Sequence, residues 1–163
     1  MIVVLGGLIM TKQIAVFFLV ILVGFFIFSP AYAQQNKIPP MELYKAMADA
    51  NKTSGWVQFR EYNGQQWVYF TPLVMLRCRV KEIRYSINSP DLDETFPLAA
   101  CHPALPFALP SDSGPEAIAL TLSSRQAEKI AVQIIYEDDS ESEIMVFEPC
   151  IGVGEATCAS IVK

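Results

Sequence analysis

The stretch WVQFREYNGQQWVYF, residues 56–70, constrains this chain more than any other. Asn63 and Gly64 sit at its centre, and both tolerate the positive φ of a type I′ turn, the tightest link between antiparallel strands. A loop that short fixes the register around it. On one side Tyr62 faces Gln65, Arg60 faces Trp67, Gln58 faces Tyr69 and Trp56 faces Thr71. On the other, Phe59 faces Val68 and Val57 faces Phe70, an apolar set that belongs to a core. The first side is a ladder of Trp56, Gln58, Arg60, Tyr62, Trp67 and Tyr69, with Gln65 and Thr71, in which rings alternate with amides and a guanidinium. Such a set suits recognition, because flat rings bury large area while polar tips choose orientation. It also suits burial beneath a neighbouring element.

That neighbour is close at hand. MELYKAMADA (41–50) reads as a short helix with Pro40 at its first turn, and Met41, Tyr44, Met47 and Ala48 fall on one face. Folded back through Tyr44 and Met47, it would cover the ladder. Everything after residue 55 reads as strand. PLVMLRCRVKEIRYSIN (72–88) holds one, but its apolar parity changes between Cys78/Val80 and Ile83/Tyr85/Ile87, which requires a β-bulge near Lys81 or Glu82. Residues 89–115 form a proline-rich acidic loop with a short strand at FPLAAC. EAIALTL (116–122) is a strand, and IAVQIIYE (130–137) with SEIMVFE (142–148) makes a second hairpin around DDSE.

Short strands with turn signals between them predict an all-β sandwich. EIRYSIN, a long loop, AIALTL, a turn and IAVQIIYEDDSES, roughly residues 82–143, resemble the later strands of immunoglobulin-like or fibronectin-III-like domains of bacterial exported proteins. HPALPFALPSDSG departs from that pattern as a proline-rich insert. The resemblance implies an immunoglobulin-like β-sandwich with a short N-terminal helix, and implies nothing about activity, because such folds host many functions.

The N-terminal third points to export. IAVFFLVILVGFFIF (14–28) is an uncharged apolar run preceded by Lys12 and followed by SPAYAQQ, the parts of a signal peptide with cleavage after Ala33. Met10 makes a better start than Met1. An uncleaved anchor is the rival reading, although the run is shorter than the roughly 20 residues a span needs. Residues 1–33 are thus a signal segment, 34–55 a leader with the short helix, and 56–163 the β-domain. Loss of Lys12 takes the net charge from -5 to -6, a sign that disfavours nucleic acid and anionic lipid. Cys78, Cys101, Cys150 and Cys158 all follow the signal, so they predict disulfides, with Cys78–Cys101 and Cys150–Cys158 favoured as the more local loops. Zinc is the weaker alternative, since there is no Cys-x-x-Cys pair and His102 is the sole histidine.

Catalytic signals are sparse. His102 alone offers an imidazole base, and it sits in a proline-rich loop. There is no nucleophile elbow and no glycine-rich phosphate loop. The acidic run Glu137 to Glu143 offers oxygen to calcium but lacks the spacing and glycine of an EF-hand, and otherwise reads as a solvated hairpin tip. Asp91, Asp93 and Glu94 read the same way. Arg77, Arg79 and Lys81 alternate along one strand face, suited to an anionic partner or to protecting an edge strand. The sequence therefore predicts a non-catalytic binding module of the cell envelope, periplasmic or secreted, with a protein or carbohydrate partner and no cofactor or metal. A small envelope hydrolase using paired carboxylates and a purely structural module are the alternatives.

Overall fold

The computed structural model of the protein describes residues 38–162. The expected signal segment, the alternative start at Met10 and the cleavage point after Ala33 lie outside the described residues. Helix α1, Met41–Asn51, follows Pro40, whose missing N–H is no loss at a helix start. Tyr44 and Ala48, one turn apart, are fully buried, while Met41 and Met47 pack at the margin of the same apolar cluster. Gly55 ends the segment at φ +98, donating its N–H to Asn51 O; a Cβ there would meet Val57 O at 2.9 Å.

Strands β1 (Gln58–Tyr62) and β2 (Gln65–Tyr69) form the expected hairpin. Asn63 and Gly64 take φ of 52 and 74, and Arg60 pairs with Trp67, Gln58 with Tyr69 and Phe59 with Val68. The ribbon is shorter than its sequence pattern at the open end. The chain bends at Trp56 and Val57, and beyond Phe70 it enters a single-turn helix, α2 (Thr71–Val74). Pro72 explains this: a residue without an N–H stops a ladder yet fits a first helical turn. The expected Trp56–Thr71 rung is therefore absent.

The same helical turn corrects a second expectation. Strand β3, Val80–Ile87, begins only after α2 and its following turns, so Arg77, Arg79 and Lys81 do not share one strand face. The parity change inside β3 is a bulge: its register against β6 shifts between Val80 and Glu82, and this lets Val80, Ile83 and Tyr85 all be buried. β4, Glu94–Phe96, starts before the expected FPLAAC stretch and shares only Phe96 with it. A short 3-10 turn, Pro115–Ala117, precedes β5 (Ala119–Ser123). Then follow β6 (Ile130–Tyr136), β7 (Met145–Glu148) and β8 (Ser160–Ile161).

The strands make two antiparallel sheets, of order β1-β2-β5 and β4-β3-β6-β7-β8. One apolar cluster draws on both: Phe59 and Val68 from the first, Ile83, Ile130, Val132, Ile134 and Phe147 from the second. Tyr44, Ala48 and Trp56 complete it, so α1 belongs to the core. The C-terminal tail links the sheets. Cys158 exchanges backbone hydrogen bonds with Phe59 on β1, and three residues later Ile161 pairs with Phe147 on β7. The disulfides are Cys78–Cys101 and Cys150–Cys158, the pairing expected, so no thiolate remains for zinc. Disulfides of this kind suit an oxidising, exported environment. Among the described residues no helix is long and apolar enough to cross a membrane.

Candidate functional site: the outer face of the first hairpin

The register of β1, β2 and β5 decides what stands on their outer face. Gln58, Arg60 and Tyr62 come from β1, and Gln65, Trp67 and Tyr69 from β2. The partners of the last three on β5 are Ser123, Thr121 and Ala119. Sequence reasoning missed Thr121 and Ser123, because which strand lies beside β2 is a long-range choice that no local pattern encodes. Tyr62 is 46% exposed, Gln65, Thr121 and Ser123 are exposed, and Gln58, Arg60, Trp67 and Tyr69 are half-buried. On the opposite side Phe59 and Val68 are buried, as expected.

The rings and their neighbours are held in place. Trp67 and Tyr69, two apart on one strand, lie within 17° of parallel with centroids 6.3 Å apart. The Arg60 guanidinium sits 4.5 Å over the Tyr62 ring, and its Nε donates to Glu155 O at 3.0 Å. Gln58 Nε2 donates to Ser54 O at 3.1 Å. Trp67 Nε1 is shielded from solvent and has no acceptor among the described residues. An unpaired buried N–H is costly, so its indole is the one member of the face with an unmet demand.

Trp56 does not belong to this face. It is fully buried, its Nε1 donates to Ala48 O at 2.7 Å, and Lys52 Nζ lies 5.9 Å from its ring centre. The bend before β1 turns both Trp56 and Val57 inward, which strict alternation could not anticipate. Helix α1 instead packs where Tyr44 stacks on Phe107 at 5.2 Å and Lys45 reaches Asp138 at 2.7 Å. Trp67 and Tyr69 are each only partly exposed.

The basic row and the acidic run answer each other. Asp138 pairs with Lys45, Glu137 with Arg79 at 3.0 Å, Asp139 with Lys81 at 2.5 Å, Glu141 with Arg84 at 3.6 Å and Glu143 with Lys52 at 2.7 Å. The hydrogen bond from Lys45, with help from Ser140, pulls the Asp138 carboxyl down to about 2. Arg77 has a different fate. It is 4% exposed and donates to the carbonyls of Ala100 and Ala108, pinning the proline-rich loop beside the Cys78–Cys101 bridge. Burial raises the Tyr44 phenol above its ordinary pKa, an effect that Arg79 and Arg77 reduce.

A cleft of about 720 Å³ opens between the 149–154 loop and the β5–β6 turn, with Glu61, Arg125, Glu128 and Glu148 on its walls. This is where a carboxylate hydrolase would work. Glu61, however, uses both oxygens to hold the turn, accepting from Ser124 Oγ at 2.9 Å and Arg125 N at 3.1 Å. Gln66, 1% exposed, clasps the Ala127 backbone through both ends of its amide. Glu61 and Gln66 carry the core parity of the hairpin, and two polar residues there were the sequence signal for an open end. Among the described residues no group of three or more His, Cys, Asp or Glu is placed to hold a metal ion. His102 is exposed in a turn that its carbonyl closes with Leu105 N. No protein-family model, curated protein or solved structure matches the chain.

Proposed function

We propose that this protein is an exported, non-catalytic binding module of the cell envelope, periplasmic or secreted, that recognises a protein or glycan through the outer face of its first hairpin. The observation that carries this reading is the half-open platform of Trp67 and Tyr69, flanked by Arg60, Tyr62, Gln58 and Gln65. Rings that stay in contact with water lose burial energy they would gain inside a core, and a partner restores it. The anchoring of Arg60 by Glu155 O lowers the entropy lost on binding.

An immunoglobulin-like sandwich is the fold this reading rests on. In that family the first, second and fifth strands share one sheet and the third, sixth and seventh the other. The order β1-β2-β5 beside β3-β6-β7 is consistent with it. β4 lies next to β3, the side on which variable-type domains add a strand. The hydrolase reading stands second, because its three glutamates line the cleft but Glu61 is committed to the turn.

The test places wild type, Trp67→Ala and Lys129→Ala side by side against envelope proteins and glycans. The expected ligand is retained by wild type and Lys129→Ala and lost by Trp67→Ala, while denaturant melts show all three folded under the binding conditions. If every retained ligand binds Trp67→Ala as well as wild type, this face is not the binding surface.

A further inference from the structure

Resting on the reading of the outer face as a recognition surface, we infer that its ligand is an acidic oligosaccharide, one whose sugar rings carry carboxylates. Three observations favour it. First, Trp67 and Tyr69 present two near-parallel rings along one strand, a surface on which successive sugar rings can lie with their C–H groups against the π faces. Second, apart from the buried Ala119, every non-aromatic residue of the face is a hydrogen-bonding one: Gln58, Arg60, Gln65, Thr121 and Ser123. Protein hot spots draw on Trp, Tyr and Arg as well, but Ser and Thr are under-represented in them, and here Thr121 and Ser123 line the face beside the rings. Among the described residues the exposed large aliphatic side chains lie off this face: Leu43 in α1, Leu105 in the proline-rich loop, and Ile144, Ile151, Val153 and Ile161 in the segment leading into β7, the C-terminal disulfide loop and β8.

Third, the face carries one charge, and it is positive. Arg60 directs Nε to Glu155 O, and no carboxylate among the described residues pairs with it. Its remaining N–H groups match the fork of a carboxylate. Arg79 and Arg84 pair with glutamates and Arg77 is buried against carbonyls. The exposed Arg125, in the turn after β5, is the other arginine without a carboxylate partner among the described residues, and it stands at the cleft rather than beside the rings. The chain as a whole is acidic at -5, which repels a long polyanion. Screening confines that repulsion to about 8 Å at physiological ionic strength, so a short oligomer senses chiefly the local guanidinium. Trp67 Nε1 is shielded and unpaired in the free protein, so a rearrangement that gave it a sugar hydroxyl as acceptor would be favoured.

The experiment uses oligouronates of the galacturonate, glucuronate and mannuronate–guluronate types, each beside its methyl ester, titrated into the exported protein at physiological salt. Amide shifts and acrylamide quenching of Trp67 in a Trp56→Phe background are the readouts. One oligouronate is expected to bind saturably, to shift Arg60, Trp67 and Tyr69, and to protect Trp67 from quenching. Esterification or Arg60→Gln should weaken it about ten- to hundredfold, the range for one charge-assisted pair. Equal binding of acid and ester, with Arg60→Gln unchanged, would overturn the acidic specificity. Binding by none of the panel, with Trp67 open to acrylamide, would overturn the glycan assignment and leave the face to a protein partner. A Trp67 closed to acrylamide in the free protein would overturn both this inference and the recognition face beneath it.

Discussion

The two tryptophans of this chain sit on opposite sides of one question, and truncating each in turn is expected to separate them. Trp56→Ala removes a fully buried side chain together with its hydrogen bond to Ala48 O. Truncation of a large aromatic in a core costs about 3–5 kcal/mol, and the abandoned carbonyl adds to that. Trp67 is half-buried. An aromatic side chain covers about 150–250 Å² in full, and the larger part of this indole is covered, so roughly 160 Å² is at stake here. At about 25 cal/mol per Å² that is about 4 kcal/mol. Against it stands the unpaired Nε1, whose removal returns about 1–3 kcal/mol of desolvation cost. The net loss for Trp67→Ala is therefore about 2 kcal/mol, below that of Trp56→Ala, and Trp67→Phe, which keeps a ring and deletes the orphaned donor, should be neutral or slightly stabilising. Phe59→Ala is the control and should resemble Trp56→Ala, since Phe59 is only 3% exposed. The assay is a set of urea melts read by far-UV circular dichroism, with m-values compared to show that the same two states are being measured. Losses for Trp67→Ala as large as those for Trp56→Ala would show that the outer face is core, and the recognition reading would fall with it.

Thiol titration of the unfolded but unreduced protein should find no reactive group among the four cysteines, and peptide mapping should return the pairs Cys78–Cys101 and Cys150–Cys158; reactive thiols in the unfolded chain would refute this. Burial raises the phenol pKa of Tyr44, Tyr85 and Tyr136, so the unfolded chain ionises first; stability is full below about pH 10 and is lost as pH rises past it. An alkaline titration at 295 nm should show a late tyrosine phase that coincides with unfolding, and a single early phase would contradict the burial. Lys45→Met should return the Asp138 carboxyl from about 2 toward its ordinary value, followed by carbon-13 NMR; because this group is depressed when folded, its contribution exists above the unfolded pKa and fades as pH falls toward 2.

Legibility followed locality. The Asn63–Gly64 turn prescribed its own register, and each local disulfide pairing followed from the shorter loop. The bulge in β3 was legible because a change of apolar parity has few physical solutions. Trp56 was misplaced because alternation was carried one rung past the point where the chain bends into the core. The basic row was misplaced because Pro72 ends the strand and starts a helical turn, a local signal whose consequence reaches five residues on to Arg77. Two features needed long-range geometry and had no sequence counterpart. One is the placement of Thr121 and Ser123 beside Trp67 and Gln65. The other is the pairing of the acidic run with cations drawn from α1, from Lys52 just beyond its end, and from β3.

The tail that pairs first with β1 and then with β7 passes through a loop in which every residue from 151 to 157 is exposed. Two of these, Gly152 and Gly154, adopt positive φ. Exposed loops of small residues are where proteases cut. Here a cut would fall between Cys150 and Cys158, and the bridge would keep both new ends on the same molecule. The severed tail would still cover the free edge of β1, at the spot where Cys158 meets Phe59, and bare strand edges are what invite edge-to-edge aggregation. Besides closing its loop in the intact chain, this small disulfide would thus act as a tether through which a nicked chain stays folded and apart from its neighbours.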